Sequence, residues 1–144
     1  MAAKGKMNCF KGSWRLSRAH SPIPKIIHQT WETNNIPYDV YKKEWVESWK
    51  KNHPDWEYKL WTDEDRRALI KRHYLWFLKI YDSYELDIMR ADAARYFILH
   101  YCGGLYADLD YECLKNIEPL ISDYNLILTR MGGEGEKDLC CGID

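Results

Sequence analysis

The sequence predicts an α/β protein, because short runs of β-forming residues alternate along the chain with longer amphipathic runs of helical period. Its 144 residues are enough for one domain with a buried core, and 46% hydrophobic with 30% charged residues is typical of a globular protein. The net charge of −1 gives no reason to expect nucleic acid as a partner. No apolar stretch approaches the roughly 20 residues of a membrane-spanning helix, so we expect no transmembrane segment.

The domain is expected to cover residues 23–144, after a basic and flexible leader over residues 1–22. The first twenty residues carry no acid and lack the apolar core of a signal peptide, and their positive charges are Lys4, Lys6, Lys11, Arg15 and Arg18. The five cysteines form no C-x-x-C pair, so we expect reduced thiols in a reducing compartment.

The first half of the domain predicts strand, loop and helix in that order. The sequence KIIHQTW (25–31) is rich in β-forming residues and predicts the first strand, and NNIP (34–37) predicts a loop. A helix is predicted over 39–52 with Asp39 as its N-cap. Its apolar face follows from aromatic residues spaced four apart, namely Tyr41, Trp45 and Trp49.

A second strand is predicted at YKLWT (58–62), and Thr62 then caps a helix that begins with the acidic sequence DED (63–65). Negative charge in the first helical turn favours the helix dipole, so this D-x-D needs no metal to explain it. Two further helices are predicted over 75–84 and 86–102, the second ending at Gly103.

Two more strands complete the predicted order, LYADLD (105–110) and NLILTR (125–130). In open α/β sheets ligands bind beyond the carboxyl ends of strands. Trp31 and the pair Asp108 and Asp110 lie at such ends of the predicted strands, so we expect them near a ligand.

In the helix over 86–102, the stretch from Ala91 to Cys102 is apolar apart from Asp92, Arg95, His100 and the tyrosine hydroxyls, so we expect it to be largely buried. The i, i+3 spacing of Asp92 and Arg95 places both side chains on one face. Buried charges are costly unless they are paired. The pair is therefore either a structural ion pair or a polar face directed into a cleft.

Asp108 and Asp110 form the second D-x-D of a chain that holds 12 aspartates, so spacing alone does not identify a site. On a strand, residues i and i+2 point to the same side, so the two carboxylates would converge. Convergent carboxylates without histidine or cysteine favour Mg²⁺ or Mn²⁺, with water and substrate phosphates completing the coordination. The alternative is an ordinary polar strand end.

Two stretches, IPKIIHQTW and RADAARYFILHYCGGLYADLD, and the order in which they occur resemble the glycosyltransferases with a DxD sugar-binding region. That family includes yeast-type α-mannosyltransferases, capsular polysaccharide sugar transferases and, more distantly, the glucosylating clostridial toxins. The similarity covers about residues 24–130. The matching positions are Gln29, Trp31, Asp92, Arg95, Gly103, Gly104, Tyr106, Asp108 and Asp110.

The resemblance implies a GT-A fold, a Rossmann-like sheet flanked by helices, and metal-dependent transfer of a hexose with retention of configuration. The donor would be GDP-mannose or a UDP-hexose, and the acceptor a glycan, a lipid or a protein, as in polysaccharide biosynthesis. Asp110 would ligate Mn²⁺ (or Mg²⁺), and Asp108 would assist the metal and bind the donor's ribose or sugar. These two are the catalytic candidates.

The resemblance also implies the other donor contacts. Asp92 and Arg95 would hold the sugar hydroxyls and the phosphate, and Trp31 would lie near the base unless it is a core residue. The remaining donor-binding candidates are Gln29, Gly104 and Tyr106, and we expect His28 to be structural.

The family continues beyond CCGID at residues 140–144, so we expect a sheet that is incomplete at its C-terminus. Two other functions are considered, a non-catalytic nucleotide-sugar or carbohydrate-binding module and a phosphohydrolase with an aspartyl nucleophile. The phosphohydrolase is disfavoured because Tyr111 stands where threonine or valine is usual. We expect a cytoplasmic location, or the Golgi and secretory pathway if the chain is a fragment.

Overall fold

A computed structural model describes residues 23–129 and 139–141. The leader predicted for residues 1–22 lies outside these ranges and stays a prediction. The elements in chain order are β1 (Ile26–Thr30), α1 (Lys43–Asn52), β2 (Glu57–Trp61), α2 (Asp63–His73), α3 (Leu75–Asp82), α4 (Asp87–Cys102), β3 (Leu105–Tyr106), α5 (Glu118–Ile121), β4 (Ile127–Thr129) and β5 (Leu139–Cys141).

Three parallel strands form the main sheet in the order β2-β1-β3. β1 is central, pairing with β2 along its whole length from Ile26 to Thr30. Its pairing with β3 is limited to Leu105 and Tyr106. β4 and β5 form a separate antiparallel pair. The α/β class is confirmed, and the parallel order brings the carboxyl ends of three strands to one edge.

Helices cover both faces of the sheet, and each face has its own apolar core. On one face Ile27 packs with Trp49 of α1, and the buried members are Ile27, Trp49, Trp56, Ala107, Cys113 and Ile121. On the other face α2, α3 and α4 meet Trp61, and the buried members are Trp61, Leu69, Ile70, Tyr81, Ala94 and Ile98. Burial of these large side chains is the main source of stability.

The predicted start of α2 is confirmed in detail. The hydroxyl of Thr62 accepts a hydrogen bond from the amide of Asp65, and the Asp65 carboxylate accepts from the amide of Thr62, which is a capping box. Asp63, Glu64 and Asp65 occupy the first turn, as the dipole argument requires. The first D-x-D is therefore a helix start.

The prediction that α1 begins after Asp39 was wrong. The carbonyl of Pro37 accepts from the amides of both Val40 and Tyr41, which closes a separate turn. Regular helix starts four residues later, at Lys43, and its N-cap Lys42 makes no side-chain capping bond. The aromatic spacing of Trp45 and Trp49 indicated the helix correctly but not its first turn.

The strand predicted over residues 105–110 was also wrong in length. β3 ends at Tyr106, and the last ladder-like bond runs from the amide of Ala107 to the carbonyl of His28. The chain then turns, with the amide of Tyr111 donating to the carbonyl of Asp108. Asp108 and Asp110 therefore lie on a turn after the strand, and the i, i+2 strand argument does not apply to them.

The fourth helix is less buried than its composition suggested. In α4 only Ala94 and Ile98 are buried, and the Asp92 side chain keeps 55% of its surface exposed. A narrow stripe of α4 packs on α2 and α3, so the apolar residues on its other sides face solvent. Among the described residues, none of the helices has the length and apolar character needed to cross a bilayer.

Candidate functional site

The candidate site lies at the carboxyl edge of the main sheet. Thr30 ends β1, Tyr106 ends β3, and their hydroxyl oxygens are 3.0 Å apart in a hydrogen bond. Burial is the main cause that raises the pKa of Tyr106 to about 12, so the tyrosine is neutral at physiological pH. This pair joins the ends of β1 and β3, and the loops of the candidate site begin directly after it.

Arg95 joins the two candidate motifs. Its Nη2 donates to Oδ1 of Asp92 one turn earlier on α4, and the same nitrogen lies 3.4 Å from Oδ1 of Asp108. The guanidinium also lies over the ring of Tyr106, with 4.8 Å from its carbon to the ring centroid. Asp92, Arg95 and Asp108, which are separated in sequence, therefore meet at one place.

One donor atom of Arg95, its Nε, is buried without a partner among the described residues. A buried donor without an acceptor is costly unless a ligand supplies one. The sequence left two alternatives for Asp92 and Arg95, a structural ion pair or a polar face directed into a cleft. The structure combines them, because the ion pair forms and its arginine also approaches Asp108 at the sheet edge.

Gln29 lies beneath the site. Its side chain is fully buried, its amide nitrogen donates to the carbonyl of Asp108 at 3.1 Å, and its amide oxygen accepts from the Tyr58 hydroxyl at 2.8 Å. The predicted donor contact of Gln29 stays a prediction, and in this structure both ends of its amide bond other parts of the protein. Gln29 fixes the backbone of the turn that carries Asp108.

The two aspartates of the turn are accessible. The Asp108 side chain is 42% exposed and Asp110 is exposed, whereas Leu109 between them is buried and anchors the turn. No cluster of three metal-type side chains occurs in the described part of the chain. A cation held here would take oxygen ligands from these two carboxylates and the rest from solvent or a ligand.

Gly104 has a backbone conformation and a close contact that favour glycine at this position. Its φ is +89°, and a Cβ at this residue would lie 2.5 Å from the carbonyl oxygen of Ile26. The absent side chain lets β3 approach β1 closely. His28, expected to be structural, is buried beside it and bonds the carbonyl of Gly103 and the indole of Trp61.

Trp31 belongs to neither core cluster. It follows β1, its amide donates to the carbonyl of Trp61, and its ring is partly exposed. The ring meets that of Tyr41 edge to face, with centroids 5.2 Å apart. The core alternative for Trp31 is therefore not supported, and an aromatic face is available beside the strand end.

An open groove of about 510 Å³ runs between α3 and α4 on the side of Asp92. Its other walls are mostly apolar and aromatic: Phe77, Tyr84, Met89, Ala93, Tyr96 and Phe97.

Sequence reasoning missed Arg66, a buried arginine on α2. The signal was available, because DEDR (63–66) repeats the D-x-x-R spacing of DAAR (92–95). Thr30 and Tyr58 were also missed, since their roles depend on partners far away in the sequence.

Comparison with known proteins assigns the family. Residues 39–127 match the family described as glycosyltransferase sugar-binding region containing DXD motif. This chain belongs to that family.

Several of the relatives that match this chain are mannosyltransferases by name. An inositol phosphoceramide mannosyltransferase of Schizosaccharomyces pombe is 51% identical over 108 residues, 73% of this chain and 29% of that protein. A mannosyl phosphorylinositol ceramide synthase of Saccharomyces cerevisiae is 51% identical over 102 residues, 69% of this chain and 26% of the relative. An initiation-specific α-1,6-mannosyltransferase of S. pombe is 33% identical over 68% of this chain and 25% of its own length.

The chain thus spans roughly a quarter to a third of the curated relatives it matches. No solved structure matches it significantly.

Proposed function

We propose that the chain forms the donor-binding part of a GT-A glycosyltransferase that transfers mannose from a nucleotide-diphosphate sugar. The observation that carries the proposal is the position of Arg95, which contacts Asp92 and lies 3.4 Å from Asp108 at the carboxyl edge of the sheet. A cation with an unused donor at that edge suits an anionic ligand. The mannosyltransferase names of the relatives support mannose as the sugar.

Asp110 and Asp108 are the residues that would hold Mn²⁺ or Mg²⁺, because they present accessible carboxylates, the ligands such cations prefer. Bound there, the metal would act as a Lewis acid that neutralises charge on the departing diphosphate. Arg95 would donate to a phosphate or sugar oxygen, with Asp92 orienting it. Trp31, supported by Tyr41, would stack on the base, a contact worth about 1–3 kcal/mol in nucleic-acid systems.

As acceptor we propose a lipid with a phosphoinositol headgroup. The relatives at 43–51% identity are named for inositol phosphoceramide, whereas the α-1,6-mannosyltransferases are 30–33% identical. Ceramide lipids reside in membranes, which favours the secretory-pathway alternative over the cytoplasm. Family membership likewise favours glycosyl transfer over a phosphohydrolase.

A thermal-shift and calorimetry panel of GDP-mannose and UDP-glucose, each with and without Mn²⁺, tests the donor site. We expect GDP-mannose with Mn²⁺ to raise the melting temperature, since a ligand of the native state stabilises it by mass action. Asp110→Asn should weaken Mn²⁺-dependent binding by about tenfold or more and leave metal-free binding nearly unchanged.

Asp123→Asn is the matched control, since Asp123 is also exposed and its only described contact is Ser122. Unchanged Mn²⁺-dependent binding in Asp110→Asn would contradict the metal assignment. Mannose transfer to inositol phosphoceramide in vesicles, measured in parallel, separates an enzyme from a binding module, because a module binds the donor without turnover.

A further inference from the structure

Three D-x-x-R sequences occur on the helices next to the candidate site, at 63–66, 87–90 and 92–95. In each one the arginine's Nη2 bonds the aspartate one turn earlier. The third belongs to the proposed donor site. The first differs from both others in burial, because the Arg66 side chain is 4% exposed whereas those of Arg90 and Arg95 are 26% and 27% exposed.

The charge of Arg66 is poorly compensated by hydrogen bonds, and of the charged groups near it Asp87 favours the charge whereas Arg90 opposes it. The only hydrogen-bond partner of Arg66 among the described residues is Asp63, whose side chain is 45% exposed and therefore screened by water. The Nε of Arg66 is buried without an acceptor in the same set of residues. Arg66 also lies near the N-terminus of α2, where the helix dipole disfavours a cation.

A buried cation with one weak partner is costly to the fold. Burial accordingly lowers the pKa of Arg66, although an arginine remains charged at physiological pH. Proteins tolerate such local conflicts mainly at functional sites, so the position of the charge matters.

Arg66 lies at the same edge of the sheet as the donor site. α2 begins two residues after β2 ends, and Trp61 at that end pairs with Thr30 of β1. The guanidinium of Arg66 is within electrostatic reach of Tyr106, and the ring of Tyr106 carries Arg95 on its face. Tyr106 therefore has two cations near it, one partly exposed and one buried.

We propose that Arg66 is a specificity-determining residue of the donor site, whose buried charge selects nucleotide diphosphates over less charged nucleotides. It acts on the ligand's charge from its buried position near Tyr106, where the low dielectric preserves the field that water would screen at the surface. The inference rests on the proposed function, since it presupposes a nucleotide-diphosphate donor.

The test compares Arg66→Met with Arg67→Met. Arg67 is its neighbour on the same helix but is exposed and paired with Asp82 through two hydrogen bonds. Calorimetry with guanosine, GMP and GDP in the presence of Mn²⁺ gives an affinity series of rising charge, and uridine, UMP and UDP serve if wild type prefers uracil. Melting temperature without ligand is measured for every variant.

We expect Arg66→Met to weaken diphosphate binding by about ten- to a hundredfold, the range of one interaction with a charged group. The affinity for the monophosphate should fall less, and the affinity for the nucleoside should hardly change. Its melting temperature should stay level or rise, because an apolar side chain removes an uncompensated buried charge. Arg67→Met should leave the whole affinity series unchanged.

An equal loss for all three ligands with a lower melting temperature would overturn the proposal, since it would assign Arg66 a structural role. Unchanged GDP binding in Arg66→Met would also overturn it while leaving the donor-site proposal intact. If Arg66→Met does not fold, Arg66→Gln takes its place, and failure of both to fold again means a structural role. A wild-type protein that binds no nucleotide would overturn the proposed function and this inference together.

Discussion

Gln29 shows how one buried side chain positions the turn of the candidate site. Its amide bonds the carbonyl of Asp108 on one side and the hydroxyl of Tyr58 on the other. Gln29→Met would keep the volume but leave both partners without a bond, so we expect a loss of about 1–3 kcal/mol in the free energy of unfolding. Donor affinity should fall as well, because Asp108 loses its backbone support.

Tyr58→Phe is the control, since it removes the outer bond and preserves the one to Asp108. Its donor affinity should remain close to that of wild type. Equal donor affinity in Gln29→Met and wild type, measured by calorimetry, would show that the turn holds its shape without Gln29.

His28 predicts how stability depends on pH. The indole of Trp61 can only donate, so Nδ1 of His28 accepts and Nε2 donates to the carbonyl of Gly103. Burial is the main cause that lowers the pKa of His28 to about 4, and nearby Lys59 adds to it. The unfolded state therefore takes up the proton first. The stability that neutral His28 contributes is fully present above about pH 6.5 and is lost as the pH falls toward 4.

From about pH 7.5 to about pH 5 we expect the free energy of unfolding to fall by about 2 kcal/mol on account of His28. Urea denaturation at both pH values measures the change. The slope should flatten in His28→Gln and largely persist in His73→Gln, because burial lowers the pKa of His73 as well but His73 is exposed whereas His28 is fully buried. A slope that survives in His28→Gln would place its origin elsewhere.

At the scale of elements, Gly104 is the point where β3 meets β1. Gly104→Ala would combine a φ of +89° with a Cβ 2.5 Å from a backbone oxygen that cannot move freely. We expect a loss of about 2–3 kcal/mol in urea denaturation, together with weaker donor binding. Gly103→Ala should be destabilising as well, because Gly103 has a φ of +66° and its Cβ would lie 2.7 Å from the ring of Pro24. Equal stability of Gly104→Ala and wild type would show that the β1–β3 junction can relax.

Elements with strong local signals were predictable from the sequence. β1 and β2 lie within one residue of their predicted limits, and α2 follows from the Thr62 capping box, because caps and β-forming runs act over a few residues. β4 (Ile127–Thr129) falls inside the predicted strand, and Cys140 and Cys141 lie on β5.

Features that depend on distant partners were not predictable. β3 ends at Tyr106, and in the turn that follows the carbonyl of Asp108 accepts a hydrogen bond from Gln29, which is far away in sequence. Likewise α4 is exposed around Asp92 because α2 and α3 cover only one stripe of it. The pairing of Arg95 with Asp92 followed from helical spacing, whereas its approach to Asp108 required the fold.

At the scale of the whole molecule, helix α1 supports the turn of the candidate site, although α1 is distant from that turn in the sequence. Trp49 of α1 is buried, and its indole donates to the carbonyl of Tyr111, directly after the turn of Asp108 and Asp110. Trp49→Phe removes this bond and some packing, so we expect a loss of about 1–3 kcal/mol in the free energy of unfolding. Donor affinity should fall although Trp49 has no place in the proposed site.

Trp76→Phe is the matched control, since Trp76 is among the most exposed large side chains. It should change neither stability nor affinity. If calorimetry gave Trp49→Phe the same donor affinity as wild type, α1 would not support the candidate site.

The central place of β1 has a consequence for the order of folding. β1 and β2 are close in the sequence and pair through five residues each. β3 is more than seventy residues from β1 along the chain and pairs with it through two residues. Closing the longer loop costs more chain entropy for fewer bonds, so β1 and β2 should assemble before β3 docks. The same weak junction should open first in the native protein. Nucleotide capture would then complete the folding of the segment that holds it.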